Sequence, residues 1–373
     1  MSTHTSPQLS RLHLTRVLLL LSLVAMSLLC SCQQQQKKYH ISGYTNAQEG
    51  ADPPMVKLLI DGRAIDSSYV NKGKFLLKGN YVDSMSKNIA YLEVTGEEPI
   101  PVILTTQPLC IDFIKRTLLE GDYLNKEVNR LYDSLDSLGD DFKLKLAAIP
   151  SDSALFDAFD QDFKASIESY IILAKDYCLR HPNDPVGIIA AVMLLTINYE
   201  SLLETVPFIR KYMGPVVLNN SEIALYLRTV DNFYRTSPGA PIVDLPLGTL
   251  QGDTTLLSEQ LLPDCYTLLH CWSGWCKPCL DEMPNLIKAY KTYHEGGLNM
   301  VSIFLWDEPY NLPLLQNDYQ LPWTQLYDLS GQVSISYGIY SIPEIMLIAP
   351  DKTIAARSLR GAELFSTLDS IFG

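Results

Sequence analysis

Two cysteines separated by two residues carry the clearest chemical signal in this sequence. Cys276 and Cys279 follow an apolar run at 266–272 that predicts a buried strand, and a helix is predicted directly after them. Cys276 would then lie at the N-terminus of the helix, where free amides and the helix dipole favour a thiolate. Pro278 fits an early helical position, and Lys277 adds a positive charge. We therefore predict dithiol–disulfide exchange, with Cys276 as the nucleophile and Cys279 as the resolving thiol.

Other uses of a CxxC pair fit this sequence less well. A zinc site would need a second CxxC or a pair of histidines, and neither follows at a usable spacing. A copper chaperone would prefer a wider cysteine spacing and a partnered histidine. A purely structural disulfide would leave the neighbouring lysine and proline unexplained. We expect no metal and no cofactor.

The residues around this pair resemble a known family. The run WSGWCKPC at 272–279, followed by EMP at 282–284, resembles the TlpA/ResA-like thiol–disulfide oxidoreductases of the thioredoxin superfamily. A second motif, YSIP at 340–343, precedes a predicted strand and resembles the same family. The likeness extends over residues 238–373. It implies an α/β thioredoxin-like C-terminal domain, and more weakly a lipoprotein subgroup whose N-terminal β domain has no known function.

The resemblance also implies how a substrate would be held. Pro343 corresponds to the family's cis-proline, which faces the CxxC pair, and a cis X–Pro bond usually marks a tight turn. It would leave the backbone of Ile342 free to pair with an extended substrate segment, and Trp275 is expected to face the substrate as well. Glu344 departs from the family pattern, because a small polar residue is commoner after the cis-proline.

Two further residues are candidates for proton transfer with Cys279. Glu282 corresponds to the family's buried glutamate, and the resemblance implies that it serves Cys279; a carboxylate on the helix surface is the alternative. His270 takes the place of the buried carboxylate of thioredoxin itself. We expect it under the redox helix, on the same side of the strand as Trp272, either as part of a proton relay to Cys279 or as a core histidine bonded to the backbone.

The activity implied by the resemblance is the reduction of disulfides in other proteins, because an isoleucine before the cis-proline is closer to thioredoxin-like reductants than to strong oxidants. The family also implies a membrane thiol electron donor, and apocytochrome c cysteines are one candidate substrate. A disulfide oxidase or isomerase is the alternative. A peroxiredoxin-like peroxidase would need a threonine shortly before a lone cysteine, which SGWC at 273–276 does not supply. A ligand- or partner-binding lipoprotein with secondary redox activity is a further alternative.

The segment before this domain changes character near residue 118. Residues 39–117 contain short apolar runs and turn dipeptides such as Asp61-Gly62, which predict a small antiparallel β domain. Its predicted strands include 55–60, 89–94, 101–105 and 109–114. Residues 118–235 predict helices, because apolar residues from Leu124 to Leu138 recur every three or four positions. Gly139 is expected to end that first helix, and further helices are predicted at 154–179, 186–199, 202–213 and 222–234. The third segment, 236–373, follows a linker-like run, TSPGAP.

The N-terminus predicts export and anchoring. Two arginines precede an apolar run at 17–29, which is too short to span a membrane core of roughly 30 Å comfortably. Residues 1–31 are therefore typical of a secretory signal. The ending LCSC resembles a bacterial lipoprotein signal with Cys32 as the lipidated residue and 32–38 as a polar tether; a plain cleaved signal is the alternative. The resemblance implies a lipid-anchored protein on the periplasmic face of a bacterial membrane.

The composition excludes some classes of protein. The chain has 373 residues, of which 47% are apolar, so it can bury a sizeable core. Its formal net charge is −13, which opposes binding to phosphate backbones, so we expect no nucleic-acid partner.

Overall fold

The computed structural model describes residues 36–46, 54–82, 84, 88–94, 97–147, 156–198 and 201–373. The predicted signal at 1–31 and the predicted lipidation site Cys32 lie outside the described residues. The chain divides into two compact units, residues 1–136 and 137–373. In the described part of the chain, no helix is both long and apolar enough to cross a membrane.

Two four-stranded sheets form the first unit. Their strands are β1 (Gln36–Tyr44), β2 (Met55–Ile60), β3 (Arg63–Tyr69), β4 (Lys74–Val82), β5 (Ile89–Val94), β6 (Ile100–Ile103), β7 (Leu109–Asp112) and β8 (Thr117–Glu120). The strand orders are β4-β1-β7-β8 and β3-β2-β5-β6. Apolar side chains from both sheets, such as Ile41 and Leu58, share one core. The predicted antiparallel β domain is confirmed, although β1 and β7 pair in parallel. The predicted polar tether at 32–38 is wrong at its end, because residues 36–38 belong to β1 and pair with β4.

The turn at Asp61-Gly62 shows why the local sequence was enough to predict these strands. Both residues have positive φ, 49° and 73°, as a two-residue type I′ hairpin turn requires. The turn joins β2 to β3, and β2 and β5 have the bounds that the apolar runs predict.

Helix α1 (Tyr123–Ala147) begins in the first unit and ends in the second. The prediction that Gly139 ends it is wrong, because the helix continues to Ala147. A glycine inside a helix costs only about 1 kcal/mol relative to alanine. A Cβ at Gly139 would lie 3.3 Å from the hydroxyl oxygen of Tyr170, so the missing side chain permits a close approach.

The other helices of this segment follow the predicted pattern to within a few residues. They are α2 (Phe156–Arg180), α3 (Pro185–Ile197), α4 (Leu202–Tyr212), α5 (Pro215–Leu218) and α6 (Ser221–Arg235), of which only the short α5 was not predicted. Asp184 caps α3 by accepting from two backbone amides. Asn220 caps α6 by accepting from the amides of Glu222 and Ile223.

A seven-stranded sheet forms the centre of the C-terminal part. Its strands are β9 (Pro246–Thr249), β10 (Thr254–Leu256), β11 (Tyr266–Trp272), β12 (Leu298–Phe304), β13 (Thr324–Asp328), β14 (Glu344–Ile348) and β15 (Ile354–Ala356), in the order β10-β9-β13-β12-β11-β14-β15. The helices are α7 (Lys277–Tyr293), α8 (Leu312–Tyr319), α9 (Gln332–Tyr337) and α10 (Gly361–Phe372). Strands β11, β12 and β13 are parallel, and β14 is antiparallel to β11. The sequence did not reveal the β9–β10 hairpin, β13, α8 or α9.

The central strand β11 distributes its side chains between two cores. Leu268 and Trp272 pack with residues of α7 and α10, whereas Leu269 and Cys271 pack on the opposite face with Tyr337 of α9. This is the alternation that a pleated strand imposes. His270 therefore points to the α7 face, as predicted.

Candidate active site

The CxxC pair lies at the start of α7. Cys276 is the N-cap residue, and its Sγ accepts a hydrogen bond from the Cys279 amide at 3.2 Å. The two cysteines form a disulfide, with their Cα atoms 5.2 Å apart. Cys276 is 3% exposed and Cys279 is fully buried. After reduction, the same amide and the helix dipole would stabilise a thiolate at Cys276.

Polar contacts hold the loop that precedes Cys276. The Gly274 amide donates to a carboxylate oxygen of Asp307 at 3.0 Å, and the indole nitrogen of Trp275 donates to the carbonyl of Trp306 at 3.0 Å. Trp275 is nevertheless 62% exposed, so its ring forms an open apolar surface beside the nearly buried disulfide.

The loop before β14 closes the other side of the site. The Ile342–Pro343 peptide bond is cis. The carbonyl oxygen of Ile342 lies 3.6 Å from Sγ of Cys276. Pro343 is buried, and its carbonyl accepts a hydrogen bond from Arg360 Nη2 at 2.6 Å. The structure thus brings together the two sequence motifs, which lie 66 residues apart in the chain.

Lys277 contributes less to this site than the sequence suggested. Its Nζ lies 2.7 and 2.9 Å from the two carboxylate oxygens of Asp281, and both side chains are exposed. Because this ion pair compensates the lysine charge, the helix start remains the main source of thiolate stabilisation at Cys276.

Glu282 is partly exposed rather than buried, which corrects the expectation from the family. Its Oε1 accepts from the amide of Gly361 at 2.9 Å, and from Nδ2 of Asn285 at 3.1 Å. Gly361 is the first residue of α10, so the carboxylate satisfies a free amide at that helix end. This contact gives Glu282 a structural role that the sequence did not indicate.

His270 is fully buried on the α7 face of the sheet. Its ring stacks near Trp272, with centroids 5.8 Å apart. Nδ1 lies 3.3 Å from the Ser302 hydroxyl, and Nε2 has no partner among the described residues. Desolvation lowers the pKa of His270 from 6.5 to about 3. The imidazole is therefore neutral near pH 7 and cannot store a proton there, although it can accept at one nitrogen while donating at the other.

His270 belongs to a row of polar side chains that crosses three neighbouring strands and that the sequence did not reveal. Ser302 on β12 lies opposite it, and Gln325 on β13 lies opposite Ser302. The indole of Trp323 donates to the Ser302 hydroxyl at 2.8 Å. Ser302 can donate its own hydrogen to Nδ1 of His270, which would leave the histidine proton on Nε2. Only the pairing of three strands assembles this row, so no local signal could have found it.

Residues 238–357 match the model of the AhpC/TSA family. The C-terminal domain is a thioredoxin-like domain. The chain is 30% identical over 110 residues to the thiol:disulfide interchange protein CycY of Rhizobium leguminosarum bv. viciae, covering 29% of this chain and 58% of that protein. It is 27% identical over 124 residues to the thiol-disulfide oxidoreductase ResA of Oceanobacillus iheyensis, covering 33% and 65%. In both cases the aligned part is less than two thirds of the relative's own length.

The chain was also compared with solved structures. The thioredoxin domain of a thiol-disulfide oxidoreductase from Bacteroides vulgatus is 23% identical, with a TM-score of 0.34, covering 37% of this chain and 99% of that one. The family match begins at residue 238 and does not include the β domain or the helices before it.

The other described cysteines are unpaired and stand apart from the CxxC pair. Cys271 and Cys178 are buried, and Cys110 and Cys265 are half-buried. Desolvation raises the pKa of the Cys178 thiol to about 12, and burial raises the pKa of Cys271 as well. The two buried thiols are therefore protonated and poorly reactive near neutral pH.

An ion pair beside the cis-proline is the largest feature that the sequence missed in the thioredoxin-like domain. Glu344 follows Pro343, and its Oε1 accepts from Arg357 Nε at 2.9 Å. The two side chains are 7% and 5% exposed. Arg357 Nη1 also donates to the carbonyls of Phe233 and Thr236, at the end of α6. The unusual glutamate at position 344 thus has a buried cation as its partner.

Proposed function

We propose that this protein is a thiol–disulfide oxidoreductase that reduces disulfides in other proteins. The observation that carries the proposal is the position of the Cys276–Cys279 disulfide, at a helix start and 3.6 Å from the Ile342 carbonyl. The helix start stabilises the thiolate that must attack a disulfide, and the cis-proline loop offers backbone groups for an extended substrate. The similarity to thiol–disulfide oxidoreductases supports the same activity.

The dithiol form would act through two exchanges. The Cys276 thiolate attacks one sulfur of the substrate disulfide, which forms a mixed disulfide and releases the other sulfur as a thiolate that takes up a proton. Cys279 then loses its proton and attacks Sγ of Cys276. The Cys276–Cys279 disulfide forms, and the second substrate thiolate leaves and is protonated. Two electrons pass to the substrate, and a thiol donor must return them to the enzyme.

Access to the reactive sulfur explains the division of roles. Cys276 retains 3% exposure, whereas Cys279 has none, so only Cys276 can meet a disulfide on another protein. The Ile342 carbonyl lies 3.6 Å from this sulfur, and the exposed Trp275 directly precedes Cys276 in the chain. We expect a substrate chain lying along Ile342 to contact the indole of Trp275 as well.

A covalent trap tests the proposal. In Cys279→Ser the mixed disulfide at Cys276 cannot be resolved, so partner proteins should accumulate and be released by dithiothreitol. Cys276→Ser should trap nothing. Cys265→Ser, which removes a half-buried thiol outside the pair, should behave as wild type. The proposal fails if Cys279→Ser traps no partner and wild type reduces insulin no faster than Cys276→Ser does.

The direction of electron flow is a separate part of the proposal. A reductase should have a CxxC reduction potential near the roughly −270 mV of thioredoxin, whereas a strong oxidant such as DsbA lies near −120 mV. Equilibration with glutathione or dithiothreitol, followed by mass spectrometry of alkylated thiols, measures this potential. A value near −120 mV would favour the oxidase or isomerase alternative. Rapid consumption of hydrogen peroxide would instead favour a peroxidase.

We also propose that the protein is lipid-anchored through Cys32 on the periplasmic face of a bacterial membrane, where a membrane thiol donor would reduce it. The LCSC ending of the apolar run supports this proposal. Cys32→Ala should release the protein from membranes and abolish labelling by fatty acid. Continued labelling of this variant would exclude Cys32 as the acceptor.

A further inference from the structure

A polar cavity of about 270 Å³ lies beside the cis-proline loop in the thioredoxin-like domain. Phe233, Tyr340, Ser341, Glu344, Arg357 and Arg360 are among the residues that line it. The loop that leads to Pro343 forms one wall, and the end of helix α6 contributes another. The catalytic steps proposed above make no use of this cavity.

The charge balance of the cavity is set by three side chains. Glu344 and Arg357 neutralise each other in their buried ion pair. Arg357 has little left to offer a ligand, because Nη1 donates to Thr236 and Phe233, and Nη2 donates to the carbonyl of Tyr337. The third charged side chain, Arg360, therefore determines the sign of the net charge in the cavity.

Arg360 is an exposed cation without an ionic partner. Its Nη2 donates to the Pro343 carbonyl at 2.6 Å, and among the residues that the structure describes it makes no ion pair. A guanidinium has five N–H donors, so this contact leaves most of them available. The hydroxyl of Ser341, on the same cavity, has no hydrogen-bond partner in the described part of the chain. Both groups suit a carboxylate.

The cavity also lies where a substrate chain would pass. Ser341 directly precedes Ile342, whose carbonyl is 3.6 Å from Sγ of Cys276. An extended chain advances about 3.3 Å per residue, and alternate side chains point to the same side. We therefore expect the side chain two residues from the substrate cysteine, which points to the same side as the cysteine, to be the one that meets the cavity.

We propose that this cavity is a subsite for an acidic side chain of the substrate, with Arg360 as the specificity-determining residue. The inference rests on the proposed reduction of protein disulfides and adds a preference for Asp or Glu two residues from the reactive cysteine. Arg360 and Ser341 would bind the carboxylate, and a lysine at the same position would be repelled by Arg360.

Matched peptides test the preference. Disulfide-linked peptide homodimers carry Glu or Gln two residues before the cysteine, and a second pair carries the same change two residues after it. The rate of mixed-disulfide formation is measured with reduced Cys279→Ser protein. In one of the two pairs the Glu peptide should react about five-fold faster than the Gln peptide, the size expected for one partly exposed ion pair. The ratio should fall in 0.5 M salt.

Variants of the arginine separate charge from structure. In the Cys279→Ser background, Arg360→Gln should bring the ratio to about one, and Arg360→Lys should keep most of it. Lys291→Gln removes an exposed cation near the other end of α7, about 20 Å along the helix from Cys276, and should leave the ratio unchanged. The Glu-to-Gln ratio compares two peptides on the same protein, so a change in Cys276 reactivity that affects both peptides equally cancels. Iodoacetamide should alkylate Cys276 at the same rate in Lys291→Gln as in the Cys279→Ser parent, because Lys291 is remote from the sulfur.

Two results would overturn the inference in different ways. Equal rates for the Glu and Gln peptides in both pairs, or a preference that survives Arg360→Gln, would reject the subsite alone and leave the oxidoreductase function intact. If no peptide forms a mixed disulfide with Cys276, the proposed function fails and the subsite fails with it.

Discussion

Two buried polar side chains lie on opposite faces of the same sheet, and they differ in how many hydrogen-bond partners they have. His270 on β11 faces α7, and its one hydrogen-bond partner among the described residues is the Ser302 hydroxyl, 3.3 Å away. Glu344 on β14 lies opposite Cys271, so it faces the other side. It is bonded to Arg357 and Ser358. One group is nearly unpartnered, and the other belongs to a dense network.

The difference shows that a buried polar group is defined by its partners as well as by its burial. Desolvation penalises the charged form of the imidazole. His270 has no opposite charge to compensate and stays neutral, with its pKa lowered to about 3. Glu344 has a guanidinium within 2.9 Å. A neutral imidazole remains able to exchange a proton, whereas the ion pair fixes the start of β14, directly after the cis-proline.

Breaking the ion pair should have the largest effect on stability. Arg357→Met leaves the Glu344 carboxylate buried without its cation and also removes the donors to Phe233 and Thr236. We expect the free energy of unfolding to fall by about 3–5 kcal/mol. Urea unfolding followed by tryptophan fluorescence measures it, because all four tryptophans lie between residues 272 and 323.

The matched control removes both charges. Arg357→Met combined with Glu344→Leu leaves no unpaired charge, so much of the lost stability should return, since apolar replacements of buried pairs are often neutral. If the single variant loses less than about 1 kcal/mol, the carboxylate finds another partner or water, and the contrast with His270 is weaker than the contacts indicate.

The second prediction concerns pH and His270. The folded protein keeps His270 neutral down to about pH 3, whereas the unfolded chain binds a proton with a pKa of 6.5. The unfolded state thus binds more protons between pH 6.5 and 3, so stability falls as pH falls through this window. Between pH 7 and pH 5 the loss due to this one group should be about 2 kcal/mol.

Comparison with a variant isolates this contribution. His270→Asn should lose less stability than wild type between pH 7 and pH 5, by about the same 2 kcal/mol. His294→Asn, which replaces an exposed histidine and leaves His270 in place, should retain the wild-type dependence. Identical pH dependence in wild type and His270→Asn would show that the buried imidazole takes up a proton in the folded state.

The same contrast marks what the sequence could predict. The location of His270 followed from local pattern, since strand alternation places it on the side of Trp272 once 266–272 is predicted as a strand. The CxxC pair, the cis-proline and most helices were likewise contained in short stretches of sequence. Glu344 could be noticed as unusual, but its partner Arg357 lies 13 residues later, directly after β15.

What the sequence could not supply depends on contacts between distant elements. The Arg357 bonds to Phe233 and Thr236 span 124 and 121 residues. Glu282 appeared as a buried acid from the family pattern, yet it caps α10, 79 residues away. Both outcomes depend on how helices dock on the sheet, which propensity and periodicity do not determine.

The smallest expected effect tests whether the neutral state of His270 is used in exchange. If His270 passes a proton from Cys279 through its two nitrogens, His270→Asn should slow resolution of the mixed disulfide about three- to ten-fold, equivalent to roughly 1 kcal/mol. Stopped-flow tryptophan fluorescence follows this step across pH, and the apparent pKa of the step should rise. Alkylation of Cys276 should stay nearly unchanged, because its sulfur is bonded by the Cys279 amide instead.

A second variant shows whether the polar row takes part in that transfer. Ser302→Ala removes the only hydrogen-bond partner of Nδ1 that the described residues provide, and leaves the imidazole in place. A relay through both nitrogens predicts slower resolution in this variant too, with a smaller solvent isotope effect. If both variants lower only the thermal stability and leave the pH–rate profile untouched, His270 is a core residue. Glu282, with its carboxylate at the start of α10, would then be the remaining candidate for proton transfer to Cys279.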